Sequence, residues 1–88
     1  MVYSNHAVKR MQQRGISNQV ADILLCFGSR KSDHHGATIV FLSKQDLTKI
    51  KYMESEKIYR RLVEKPIYAI EKTGLVITVG HRYKRIVR

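Results

Sequence analysis

Cysteine and long apolar runs are scarce in this chain of 88 residues. Cys26 is the only cysteine, so an intramolecular disulfide is excluded, and its place inside the apolar run ILLCF predicts a core position. The longest apolar run, Ile23 to Phe27, is far too short to cross a bilayer. The N-terminus also lacks the apolar segment of a signal peptide, which predicts a cytoplasmic protein that does not enter membranes.

Acidic residues are also few, and both ends of the chain lack them. There are 17 Lys and Arg residues against 7 Asp and Glu, which gives a formal charge of +10. No carboxylate occurs from Met1 to Ala21 or from Lys72 to Arg88. A surface with charges of both signs would be enough for solubility, so this excess of positive charge favours a polyanionic partner: RNA, DNA or an acidic protein. The hydrophobic content of 43% still supports the core of one domain, residues 1–88.

Helical patterns dominate the first third of the chain. SNHAVKRMQQRG predicts a helix that begins after Ser4 and ends at Gly15. A second helix is predicted from the cap at Ser17 to Phe27, with an apolar face typical of a core helix. The following stretch, SRKSDHHG, is typical of a polar loop, and ATIVFL is typical of a strand.

The second half predicts helices and then a hairpin. Between Ser43 and Lys65 the pattern favours two short helices, the first opened by a capping box and the second capped by Ser55. After Pro66, two strand-like runs flank Lys72-Thr73-Gly74, where the glycine suits a left-handed turn position. In the last strand, alternation places Leu75, Ile77 and Val79 on one face.

Chemistry-bearing side chains concentrate at the two ends. On the first helix His6, Arg10 and Arg14 follow an i, i+4, i+8 spacing, which stacks them on one exposed stripe, with Lys9 on the same side. The last strand ends in a second basic group, composed of His81, Arg82, Tyr83, Lys84, Arg85 and Arg88. If the ends meet in the fold, they form one cationic patch.

The combination of H-x₃-R-x₃-RGIS on the first helix with a closing ITVGHRYKRI strand resembles a known group. It is similar to small bacterial proteins of the RelE/ParE-like superfamily, in a branch whose members are mostly domains of unknown function. The resemblance extends over nearly the whole chain and includes the loop Asp33-His34-His35-Gly36. It implies an α+β fold: two N-terminal helices packed on a small twisted antiparallel sheet, with a helical segment between the first strand and a C-terminal β-hairpin.

The resemblance also implies a function. Many members of the superfamily are toxins that are paired with an antitoxin and cleave RNA without a metal, whereas others poison DNA gyrase. The RNA cleavers carry basic and proton-transferring groups on the sheet and the adjoining helix. The residues here in comparable places are His6, Arg10, Arg14, His81, Arg82 and Tyr83. One departure is the helical stretch Ser43 to Lys65, which stands where many toxins have another hairpin.

Metal-free RNA cleavage needs a base, an acid and cations around the phosphate. His6 and His81 are the expected base and acid, because imidazole titrates near neutral pH. The arginines of both ends would hold the phosphate, and Tyr83 could stack on a base or donate a hydrogen bond. Each residue also has an ordinary interpretation: His6 as a surface residue, Tyr83 as part of the core or a strand edge, and Lys84, Arg85 and Arg88 as a solvated tail.

The loop Asp33-His34-His35 allows three interpretations. A metal site is one, but adjacent histidines rarely bind one ion together and no Cys or His pair has the spacing of a structural zinc site, so neither metal nor cofactor is expected. Asp33 and His34 could instead shape the loop, or line the same cleft as the two histidines of the chain ends.

Three classes of function fit these observations. The first is a metal-independent endoribonuclease of toxin type, which the paired histidines favour. The second is a nucleic-acid-binding module without catalysis. The third is a protein-targeting toxin like the gyrase poisons, or a protein that docks an acidic antitoxin segment through its cationic patch.

Overall fold

A computed structural model describes residues 2–82 of the chain. It contains four helices and five strands within that range. In chain order these are β1 (Val2–Tyr3), α1 (Asn5–Arg14), α2 (Asn18–Phe27), β2 (Ser29–Ser32), β3 (Thr38–Phe41), α3 (Lys44–Met53), α4 (Glu56–Glu64), β4 (Ile67–Lys72) and β5 (Leu75–His81). The α+β class is therefore confirmed.

Serine caps begin all four of these helices, as the sequence predicts. The hydroxyls of Ser4, Ser17, Ser43 and Ser55 each accept a hydrogen bond from a backbone N–H in the first turn. Gly15 ends α1 in the left-handed conformation with φ 66°. The hairpin between β4 and β5 is also confirmed, with Thr73 and Gly74 both at positive φ.

The sheet is more extensive than the sequence indicates. Its strand order is β1-β5-β4-β3-β2, and β1 runs parallel to β5, so the sheet is mixed and the predicted antiparallel sheet is wrong at that edge. SRKS, predicted as loop, forms β2 and pairs with β3. Arg30 fixes this strand to its surroundings: its guanidinium donates to the Leu25 carbonyl and pairs with Glu71.

One face of the sheet, here called the helix face, packs against the helices. Its central row is Val40, Ala69 and Val79, which are paired across β3, β4 and β5 and fully buried. The opposite face, here called the outer face, carries the row Phe41, Tyr68 and Gly80.

A bulge in β5 corrects the predicted faces of that strand. Ile77 has no partner in the register with β4, because Val76 pairs with Glu71 and Thr78 pairs with Ile70. The extra residue brings Val76 and Val79, three positions apart, onto the same buried face. The strict alternation of Leu75, Ile77 and Val79 is therefore wrong, because the strand has a bulge at Ile77.

Two further expectations about residues 2–82 can be judged. Cys26 is exposed, in contrast to its predicted core position, because the buried side of α2 is formed by its neighbours Ile23, Leu24 and Leu25. Each of the helices within this range is too short or too polar to cross a membrane.

A buried carboxylate joins β2 to the start of α3. Asp46 is 8% exposed, and its Oδ2 accepts hydrogen bonds from the backbone N–H of Ser43 at 2.9 Å and from the Ser29 hydroxyl at 2.7 Å. Burial acts to raise the pKa of Asp46, but the hydrogen bonds from Ser29 and Ser43 outweigh it and hold the pKa below its ordinary value. The ionised form is therefore the one that the fold stabilises.

We expect Asp46→Ala to lower the free energy of unfolding by about 2 kcal/mol at neutral pH, because a buried donor, the Ser43 N–H, and a half-buried one, the Ser29 hydroxyl, lose their acceptor. Asp46→Asn keeps an acceptor oxygen and should lose less. Since the pKa is depressed in the folded state, the wild type should lose this stabilisation as pH falls from the unfolded value, about 3.9, through the folded one. Urea unfolding at neutral pH and near pH 3 measures both effects. An equal loss in the two variants would contradict the role of the acceptor.

Candidate nucleic-acid interface

Helix α1 is fastened along the edge of β5 at both of its ends. At the N-terminal end, Ser4 donates from its backbone N–H to the Val76 carbonyl at 2.8 Å and from its hydroxyl to the Ile77 carbonyl at 3.3 Å. At the C-terminal end, Arg14 Nη1 donates to the Val79 carbonyl at 3.0 Å. The helix thereby continues beyond the two paired residues of β1 and brings the two ends of the described chain together.

The outward side of α1 is basic. His6, Lys9 and Arg14 are exposed and Arg10 is half-buried, whereas Ala7 and Met11 on the other side are buried. The first carboxylate along the chain is Asp22, and its Oδ1 accepts a hydrogen bond from the Tyr3 hydroxyl at 2.6 Å. The helix therefore presents its cations without an acidic side chain of its own.

The His6 ring is paired along this helix with Arg10. Arg10 Nε donates to His6 Nε2 over 3.4 Å. Because a guanidinium only donates, His6 Nε2 must be unprotonated in this contact, and a neutral ring then carries its proton on Nδ1. The pair orients the guanidinium along the exposed stripe.

The His81 ring is held by the end of the same helix. Its Nε2 lies 3.1 Å from the Arg14 carbonyl oxygen. Since a carbonyl oxygen can only accept, Nε2 must carry a proton in this hydrogen bond. A neutral His81 ring then carries its lone pair on Nδ1, and this atom is buried.

The two histidines lie at opposite ends of α1. His6 is in its first turn, whereas His81 contacts the carbonyl of Arg14, its last residue. At 1.5 Å rise per residue, the helix separates the two positions by about 12 Å along its axis. Acid and base act on different oxygens of one phosphodiester and must each come within about 3 Å of them, so this spacing favours His81 with Arg14 over the pair of histidines as the groups around one phosphate.

Arg82 extends the cationic surface past the end of β5. Its backbone N–H donates to the Pro66 carbonyl at 2.7 Å and its Nη1 lies 3.4 Å from the Leu42 carbonyl. The guanidinium carbon lies 5.6 Å from the centre of the Phe41 ring, within the range of a cation–π contact. Arg82 is thus oriented on the outer face by contacts of its own.

The loop between β2 and β3 has a structural explanation. Asp33 Oδ1 accepts from the backbone N–H groups of His35 at 2.7 Å and Ala37 at 3.0 Å, and these two bonds lower the pKa of Asp33. His34, at φ 66°, occupies the left-handed position of the turn. The loop closes the hairpin at the end of the sheet opposite the row of His81, and two to three strands away, so it does not line a cleft with that ring.

Gly80 is a residue of this surface that the sequence analysis did not select. A Cβ at this position would lie 2.6 Å from Arg14 Nη1 and 3.1 Å from Tyr68 Cε1. The missing side chain therefore leaves room for the guanidinium to reach the backbone of β5. The sequence Val79-Gly80-His81 could have indicated this contact, since a glycine inside a strand often marks the close approach of another group.

The remaining predicted residues, Tyr83, Lys84, Arg85 and Arg88, lie outside the described range. Within residues 2–82, no group of three or more His, Cys, Asp or Glu side chains is placed to hold a metal ion. Neither a protein-family model, nor a curated protein, nor a solved structure matches the chain.

Proposed function

We propose that this protein binds RNA through the outward side of α1 and the adjoining end of β5, as a RelE/ParE-like protein of a toxin–antitoxin pair. The observation that carries the proposal is the run of cations on a helix without carboxylates, fastened to the strand that ends at His81 and is followed by Arg82. Guanidinium and ammonium groups at this density match the regular negative charge of a phosphate backbone.

Salt dependence tests the proposal directly. We expect a fluorescein-labelled single-stranded RNA of about twelve nucleotides to bind with an affinity that falls steeply with salt. With the cations of α1 and Arg82 on phosphates, the slope of log affinity against log salt concentration should be about −3, at roughly 0.7 per phosphate contact. Fluorescence anisotropy measures it, and salt-insensitive or absent binding would contradict the proposal.

Charge variants locate the interface. The double variant Lys9→Gln/Arg10→Gln should reduce the slope by about 1.4 and weaken binding about 25-fold at 0.1 M salt, because two phosphate contacts are lost. The matched control Lys44→Gln/Lys49→Gln removes the same charge from exposed positions of α3 and should change affinity much less. Equal losses in the two variants would indicate attraction by net charge alone.

RNA cleavage is the second candidate function, because an imidazole, His81, lies beside the end of the cationic helix. The hydrogen bond to the Arg14 carbonyl fixes the ring so that Nδ1 of a neutral imidazole is the basic atom. The ring would have to turn to expose this buried nitrogen to the 2′-hydroxyl, whose proton it would then take, while Arg14 stabilises charge on the phosphate. His6, about 12 Å away along the axis of α1, is assigned to binding, and water would protonate the leaving 5′ oxygen.

An acidic protein is the alternative partner, because carboxylates of an antitoxin segment suit the same cations. A competition experiment distinguishes RNA from an acidic protein as the partner. RNA is the preferred ligand if a polyglutamate peptide displaces the labelled RNA only when the concentration of its carboxylates far exceeds that of the RNA phosphates. Displacement at equal charge concentration would favour an acidic protein.

A further inference from the structure

The outer face of the sheet carries aromatic and apolar groups in reach of the α1 cations. Its first row is Phe41, Tyr68 and Gly80, and its second row is Ile39, Ile70 and Thr78. Phe41 is buried and has the Arg82 guanidinium over its ring, whereas Tyr68 and the second row are half-buried. None of the second row belongs to the core cluster formed against the helices.

Tyr68 and Arg14 converge on one point of this face. The position that a Cβ of Gly80 would occupy is 2.6 Å from Arg14 Nη1, 3.1 Å from Tyr68 Cε1 and 3.3 Å from Tyr68 Cζ. The phenol ring therefore lies over the glycine, and the guanidinium reaches round the edge of β5 to stand beside it. A positive group and an aromatic ring are thus held side by side, one by the Val79 carbonyl and the other by the strand pairing.

We propose that Tyr68 and Arg14 form a subsite for one unpaired nucleotide of single-stranded RNA, with the base stacked on the Tyr68 ring and its phosphate on the Arg14 guanidinium. This inference rests on the proposed RNA binding and extends it from backbone attraction to recognition of a base. Arg14 uses Nη1 for Val79, and a guanidinium has further N–H donors on Nη2 and Nε that can face a phosphate.

The charges of the neighbourhood select the occupant. The subsite joins the carboxylate-free helix α1, so a ligand that covers Tyr68 also lies in the field of Lys9 and Arg10. An apolar partner would leave these cations without counter-charges, whereas a nucleotide supplies a flat ring and an anion at adjacent positions. Bases are accessible for stacking only in unpaired RNA, because a duplex hides them within its own stack.

The test compares two single strands of equal charge, one with bases and one without, and adds a duplex in which the bases are hidden. Wild-type protein is titrated with labelled single-stranded oligoadenylate, with an abasic oligonucleotide of the same length, and with an RNA duplex. We expect oligoadenylate to bind about tenfold or more tightly than the abasic strand, the size of one stacked base. Tyr68→Leu should remove this preference, whereas Tyr68→Phe, which keeps the ring, should retain it.

Gly80→Ala is a second variant, which disturbs both Arg14 and Tyr68 without replacing either of them. The added methyl group would displace Arg14 Nη1 and press on the Tyr68 ring, so the preference for oligoadenylate should fall as it does in Tyr68→Leu. Circular dichroism and thermal unfolding establish that each variant is folded. If the Tyr68 and Gly80 variants do not fold, the wild-type comparison of oligoadenylate with the abasic strand still decides.

The outcomes are distinct. Tight, salt-dependent binding of wild type to all three ligands alike would overturn the stacking subsite and leave the proposed RNA binding intact. A preference for oligoadenylate that survives Tyr68→Leu in a folded protein would also overturn the assignment to Tyr68. Absence of binding to any of them would overturn both proposals.

Discussion

Replacing His81 with glutamine is expected to lower the rate of RNA cleavage about 100-fold or more while leaving the affinity for RNA unchanged. Loss of a general base typically reduces the rate by this order. Glutamine suits the comparison because its amide N–H₂ can replace Nε2 as the donor to the Arg14 carbonyl, but it has no nitrogen able to take a proton. The variant thus separates the chemistry of the ring from its structural bond.

The measurement is cleavage of a mixed RNA substrate in excess chelator, with affinity measured in parallel. His6→Gln is the matched control: it removes the other imidazole, at the far end of α1, and should leave the cleavage rate within about threefold while weakening binding slightly. Cleavage that survives His81→Gln would contradict the assignment of the base. A wild type that binds RNA without cleaving it would contradict the second candidate function and leave the first.

The largest expected loss of stability comes from Gly28→Ala. A Cβ there would lie 2.4 Å from the Leu24 carbonyl oxygen, 2.7 Å from Val40 Cγ1 and 3.1 Å from the Phe41 carbonyl oxygen. Two of these three atoms belong to the backbone, so the methyl group can be accommodated only if the last turn of α2 opens and Gly28 also moves away from β3. We expect the free energy of unfolding to fall by about 3 kcal/mol, at the upper end of overpacking effects.

Urea unfolding measures this loss, and Gly74→Ala is the control. Gly74 has φ +81° and open space around it, so the substitution there introduces backbone strain without a collision and should cost about 1 kcal/mol. Gly28 has φ −68°, an ordinary value for any residue, so its requirement for glycine is entirely steric. Equal losses at the two positions would contradict that explanation.

The predictable part of this fold is the part with local causes. Serine caps and the Gly15 stop follow from short sequence patterns, because the groups that they satisfy lie within one helical turn. β1 was not predicted because two residues are too few to carry a pattern, and β2 was not predicted because its four residues are polar. The strand character of both comes from partners, which begin at Leu75 and Phe41. Tertiary pairing, not local propensity, decides such segments.

In the candidate site, too, the features with local causes could be predicted and those that depend on tertiary contacts could not. Helical periodicity placed His6, Lys9, Arg10 and Arg14 on one side of α1, and the helix is confirmed. The bond from Arg14 to Val79 and the distance between the two histidines depend on how α1 lies along β5, which no local pattern contains. The bulge at Ile77 changed the faces of β5 for a similar reason, since a single unpaired residue reverses the alternation after it.

The fastening of α1 to β5 also bears on how the protein is made. Ser4 and Arg14 find their partners at Val76, Ile77 and Val79, contacts that span most of the described chain. During synthesis, α1 can form early, but it cannot dock until β5 has left the ribosome, and contacts so distant in sequence are slow to form. The cationic interface is therefore expected to be among the last parts of the protein to mature, so a growing chain would not yet present it to the messenger RNA that encodes it.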